Sequence, residues 1–217
     1  MATVSKTVTY AAAEAAAKLN GLGIMGALHE DGSTILLLGP GKEFWEIFKL
    51  SPELNDGAED PFNRWSERII GHMADTLGAK ARFPFGGPPY EPFLRWAMDS
   101  GRAWQSPVGM LVHDEAGMMI SFRGALHFSY EIDLPAPPAA SPCETCETQP
   151  CVSACPVGAL SDQHFYKIDA CHAYLDTPAG QSCMSHGCIA RRACPVSQSF
   201  DRNPAQSAIH MRYFHRS

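Results

Sequence analysis

No cysteine occurs in the first 142 residues of this chain, and no apolar run approaches the ~20 residues that a membrane-crossing helix needs. Basic residues are not in excess either. The 17 Lys and Arg stand against 23 Asp and Glu, a formal net charge of −6. Nucleic-acid recognition wants a basic face, so that class of partner is set aside, as is a membrane. The opening "MATVSKTVTYAAAEAAAK" lacks the charged start, apolar core and cleavage site of a secretory signal, which points to a cytoplasmic protein. Gly-x-Ser-x-Gly, Walker-type and His-Glu-x-x-His signatures are all missing. The balance of 45% hydrophobic and 18% charged residues is nonetheless that of an ordered globular protein.

Residues 1–135 mix helix and hairpin signals without a repeating strand–helix unit, so an α+β domain is expected over a doubly wound parallel sheet. "AAAEAAAKL" is strongly helix-forming and stops at Asn20-Gly21. "GIMGALHEDGSTILLLGPG" predicts a hairpin turning at Asp31-Gly32, with Ile35 to Leu38 the more buried strand. "EFWEIFKL" and "DPFNRWSERIIGHMADTLG" predict helices. In the second, Phe62, Trp65, Ile69, His72 and Met73 share a face at spacings of three and four. "VGMLVHDEAGMMISFRGALHF" predicts two strands around a turn at His113 to Gly117. "GLGIMG" follows a helix rather than a strand, so it reads as a loop before a strand and not as a dinucleotide loop. His29, His72, His113 and His127 stand apart and read as surface or core histidines, and Trp65, Trp96 and Trp104 as core.

A Pro/Ala connector, "DLPAPPAASP" (Asp133 to Pro142), separates this part from residues 136–217, where all eight cysteines lie. In a reducing compartment such density points to metal or redox chemistry rather than disulfides. The first run is Cys143-x2-Cys146-x4-Cys151-x3-Cys155-Pro; then come Cys171 and Cys183-x4-Cys188-x5-Cys194-Pro. Bacterial ferredoxins use three close cysteines plus a fourth, followed by proline, that ligates the other cluster. A short loop can wrap three corners of an iron–sulfur cube, and the fourth must come from a returning segment. Eight thiolates fill two four-cysteine cubes with none left over. On that logic Cys143, Cys146 and Cys151 join Cys194 at one 4Fe-4S cluster, and Cys155 joins Cys171, Cys183 and Cys188 at the other. Two four-cysteine zinc sites are the alternative, although zinc knuckles usually pair two Cys-x2-Cys units and only one is present.

"PCETCETQPCVSACPVGAL", "DACHAYLDT" and "GCIARRACPVS" together resemble the ferredoxin-type domain of epoxyqueuosine reductases and corrinoid reductive dehalogenases. There too a lone cysteine precedes a Tyr-Leu pair, here Cys171 with Tyr174-Leu175. Upstream, "LVHDEAG" and "SFRGAL" resemble cobalamin-processing proteins, so the similarity spans roughly residues 60–200. The resemblance implies a nitroreductase-like domain, residues 1–135, that holds a corrinoid, followed by a ferredoxin-like domain with two 4Fe-4S clusters. It also implies an oxidoreductase fed by an external donor such as a ferredoxin, flavodoxin or reductase. Arg123 of "SFRGAL" is the candidate for an anionic contact in the cofactor pocket, with a surface strand arginine as the alternative. Two departures matter. Phe85 of "RFPFGGPPYEPFL" falls where those reductases place a proton-donating aspartate, and "DSGRAWQSPVG" replaces their glycine-rich loop. Phenylalanine donates no proton, so the queuosine reaction is not expected. The other readings are a ferredoxin-like carrier whose first domain docks a protein, and a reductase binding flavin mononucleotide (FMN).

Overall fold

An alanine-rich stretch opens the computed structural model, which describes residues 8–216. The first seven residues of the segment read for a secretory signal lie outside that range. Thr9 accepts the Ala12 amide on its hydroxyl at 3.2 Å and starts α1 (Tyr10–Leu19). The helix stops at Asn20, and Gly21 turns left-handed at φ 70°. A Cβ on Gly21 would lie 2.8 Å from Phe44 Cα, so the close approach requires glycine. Next come β1 (Leu22–Glu30), β2 (Ser33–Pro40), α2 (Phe44–Phe48), α3 (Pro52–Asn55), α4 (Pro61–Leu77), β3 (Lys80–Arg82) and α5 (Phe93–Asp99). The chain continues through β4 (Ala103–Gln105), β5 (Leu111–His113), β6 (Gly124–Phe128) and α6 (Ile168–Leu175). After a 3₁₀ turn at Pro178–Gly180 it ends with α7 (Gln181–His186), α8 (Ile189–Ala193), α9 (Pro195–Phe200) and α10 (Pro204–Phe214). The class is α+β with small antiparallel sheets. Among the described residues no helix is long and apolar enough to cross a membrane.

The chain divides into two compact units, one running to Arg102 and resuming over Ser121–Pro137, the other comprising Ala103–Ile120 and everything from Pro138. The first unit is built on a four-stranded antiparallel sheet in the order β1-β2-β6-β3. Asp31 and Gly32 both take positive φ (49° and 73°) and close the β1–β2 hairpin, the two-residue turn that Asp-Gly favours. Leu36, Leu37 and Leu38 of β2 are fully buried. Behind the sheet Phe44, Phe48, Phe62 and Trp65 form a ring cluster, with Phe48 stacked on Phe62 at 4.4 Å and Trp65 edge-on to Phe44 at 5.1 Å. Helix α4 buries Phe62, Trp65, Ser66, Ile70 and Met73, whereas His72 is exposed and Ile69 only half-buried. The expected face is thus rotated by about one residue. Gly124 of β6 accounts for this, since a Cβ there would stand 2.8 Å from Ile70 Cδ1.

In the second unit β4 and β5 pair as a two-stranded ribbon, so a segment that the sequence reading placed with the first domain groups with the cysteines. The hairpin expected around His113 to Gly117 does not form. His113 and Gly117 exchange two main-chain hydrogen bonds of 3.0 Å, but the pairing ends there. Met118, Met119 and Ile120 are buried in succession, without the alternation of a half-buried strand. Their carbonyls accept from side chains instead: Met118 and Ile120 from Arg191, Met119 from Arg202. The next strand, β6, pairs with β2 and β3. The buried His113 accepts the Glu115 and Ala116 amides on Nδ1 at 3.1 and 3.2 Å. That nitrogen therefore carries no proton, and the nearby Asp114 carboxylate is not an ion-pair partner for it.

Candidate metal centres

From residue 138 to 167 the second unit's chain has no helix or strand, and prolines and tight turns place its cysteines. The Ser141 hydroxyl accepts the Cys143 amide at 3.2 Å, and the Cys146 amide folds back on the Cys143 carbonyl at 3.3 Å. Gln149 takes a left-handed φ of 37° before Pro150, and the Val152 and Ala154 amides close turns around Cys151. Cys155 precedes Pro156, and its sulfur accepts the Ala159 amide at 3.2 Å. Cys171 stands on α6 and Cys183 on α7. Cys188 caps α8 and Cys194 caps α9, where Pro195 supplies the first helical position at no hydrogen-bond cost.

These turns and short helices gather the thiols into two cavities. One, of about 200 Å³, is lined by Cys143, Cys146, Cys151 and Cys194; the other, of about 280 Å³, by Cys155, Cys171, Cys183 and Cys188. The grouping is the one drawn from the spacing, including the crossing of Cys155 and Cys194. All eight cysteines are free thiols. Burial pushes the Cys143, Cys151, Cys171 and Cys183 thiols up, and neighbouring cysteines of the same set push the same way. Polar groups nearby oppose this and pull the other way: Ser141 at Cys143, Tyr166 at Cys171 and the Ile189 main chain at Cys183. Crowded buried thiols become thiolates only when a positive centre compensates them, which is what a bound metal does. Among the described residues no three His, Cys, Asp or Glu side chains close on one point as a single ion requires.

Arg123 lies in the first unit, just before β6. Its amide donates to the Leu38 carbonyl at 2.7 Å and its Nε to the Phe122 carbonyl at 2.9 Å. The guanidinium sits 5.5 Å from the centre of the Phe62 ring. Burial pulls its pKa down to about 10, so it remains charged at neutral pH. It is a half-buried cation and not a surface strand arginine. Of the histidines, His29 donates to the Ile132 carbonyl at 2.9 Å, and burial, then Arg82, lowers His127. Trp65 and Trp96 are core, and Trp104 packs against the buried residues of the second unit.

Two lining residues escaped the sequence reading. Arg191 and Tyr166 both face the larger cavity. The usable signal for Arg191 was position: it stands three residues after Cys188, one helical turn along, and three before Cys194. Comparison with protein-family models, with curated proteins and with solved structures finds no match to this chain.

Proposed function

We propose that the chain is an oxidoreductase-type electron-transfer protein whose second unit, of ferredoxin type, holds two 4Fe-4S clusters. Cys143, Cys146, Cys151 and Cys194 would ligate one, and Cys155, Cys171, Cys183 and Cys188 the other. The observation that carries this reading is the pair of cavities, each ringed by four free thiols. A tetrahedral zinc with bonds of about 2.3 Å would draw its sulfurs to within roughly 4 Å of one another. Thiols spread around a space of 200–280 Å³ suit a multi-atom cube better. When bound, such clusters supply one-electron transfer.

The chain's own residues do the rest. Four cysteines per set would provide the anionic ligands, and the Ala159 amide donates to the Cys155 sulfur. Apolar walls, among them Val112, Met118, Leu160 and Leu175, keep water out. We further propose that the first unit is of nitroreductase type and receives the electrons on a corrinoid. The resemblance around Arg123 supports this, as does a half-buried guanidinium that contacts a ring and a carbonyl and suits an anionic group. An external ferredoxin, flavodoxin or reductase would be the donor.

Anaerobic reconstitution of the full chain should give about eight iron and eight acid-labile sulfide, because eight cysteines fill two cubes. Zinc without sulfide would end the cluster reading. Hydroxocobalamin added to the reconstituted protein should shift its visible bands. A yellow protein that binds FMN tightly would favour the flavin reading, and no response to either would favour a carrier.

A further inference from the structure

The two cavities differ in their walls. The smaller has no charged side chain in its lining: Ser106, Thr145 and Gln149 are its polar members besides the cysteines. The larger is lined by Arg191, His210 and Tyr166. Of the two basic residues, only the guanidinium is charged at every working pH. Arg191 is fixed in place, since its Nε donates to the Met118 carbonyl and its Nη2 to the Ile120 carbonyl at 3.2 Å. Two neutral carbonyls orient the cation without cancelling it, and no carboxylate among the described residues pairs with it. It shares the cavity wall with Cys188 and Tyr166. The residue as a whole is part-buried while its guanidinium end is enclosed, so solvent screens the charge weakly. Tyr166 brings a hydroxyl to the same cavity that Cys171 lines.

Resting on the cluster reading above, we infer that Arg191, assisted by the Tyr166 hydroxyl, makes the Cys155, Cys171, Cys183 and Cys188 site the first of the two to accept an electron. The physics is sign and proximity. Reduction adds one negative charge to a centre already surrounded by four thiolates. A fixed cation, with a polar hydroxyl in the same wall, stabilises the more negative state, and charge and polarity around the sulfurs are recognised levers on cluster potential. One electron arrives from an external one-electron reductant, which is oxidised by one electron. No bond forms or breaks. No proton need move, because the guanidinium already carries its charge. The smaller site, with no cation in its wall, holds its electron less tightly and is the stronger reductant of the pair.

The test is an anaerobic redox titration of the reconstituted full chain with dithionite, followed by electron paramagnetic resonance. Two midpoints should appear, and the higher should belong to the signal that Cys171→Ala abolishes, not to the one that Cys143→Ala abolishes. Arg191→Met should lower the higher midpoint so that the reduced-to-oxidised ratio at fixed potential falls about tenfold, ~59 mV for a one-electron couple. Arg191→Lys, which keeps the charge, should restore most of it. Arg191 also holds two carbonyls, so its loss could unfold the unit. Tyr166→Phe removes only a hydroxyl and should lower the same midpoint by about two- to threefold in that ratio. A higher midpoint at the Cys143 site, or eight irons bound with both midpoints unmoved by Arg191→Met and Tyr166→Phe, overturns this inference and leaves the cluster reading standing. A chain that takes up no iron and sulfide overturns both.

Discussion

In the first unit the interior is carbon: four aromatic rings and the leucines of β2 are packed behind a hydrogen-bonded sheet. In the second, cysteine sulfur shares the interior with aliphatic side chains. One of its buried clusters contains Cys151 and Cys194 with Cys143, Cys155 and Cys188 packed against it, and another contains Cys183 with Cys171 alongside. Its longest helix is the 11-residue α10, and its sheet is a ribbon of two three-residue strands. Two-stranded ribbons and one-turn helices are marginal on their own, so on the proposed reading the second unit would depend on its clusters far more than the first does.

The largest effect should follow from withholding iron. Hydrogen exchange of the apo chain should lose protection across Pro138 to Phe214 while the β1–β2–β6 ladder keeps its own. Equal protection in both units would break the contrast. A smaller effect, confined to the other side, should come from Trp65→Ala. Trp65 is 1% exposed, and its removal should destabilise the first unit by about 3–5 kcal/mol in urea unfolding without changing iron content.

The smallest effect should be in acid. Arg68 donates to the buried Glu53 carboxylate at 2.9 Å, and that hydrogen bond holds its carboxyl below the usual range. A depressed carboxyl contributes stability above its unfolded value, about 4.3, and loses it as pH falls through the folded value. Urea midpoints of the first unit should therefore drop in that acid window, and Glu53→Gln should flatten the drop. Arg68 is half exposed, so the contribution should stay below about 1 kcal/mol.

The contrast also governs what could be read in advance. Asp31-Gly32 announces its turn because the required backbone is local to two residues. The thiol grouping was readable because cysteines are sparse and their spacing is a constraint in itself. The α4 face was misread by one position because Ile69 and Ile70 satisfy helical periodicity equally, and a glycine 54 residues later chooses between them. The missing hairpin after Gly117 has the same origin. Met118 to Ile120 look like a strand, but the arginines that claim their carbonyls stand more than 70 residues downstream. Arg191 was not singled out in the sequence, because it is the fold that brings its side chain to the cavity wall.

Cys188 and Cys194 face different cavities, yet they bracket the same five-residue helix. At about 1.5 Å per residue, the six steps from one to the other span roughly 9 Å along the axis. Helix α8 is therefore a gauge block between the two cavities, its length counted out residue by residue. The separation of the two thiol sets is machined into the chain and does not depend on how a flexible loop happens to settle. A single inserted residue would turn Cys194 by about 100° about that axis and carry its sulfur off its own set, while Cys188 stayed where it is.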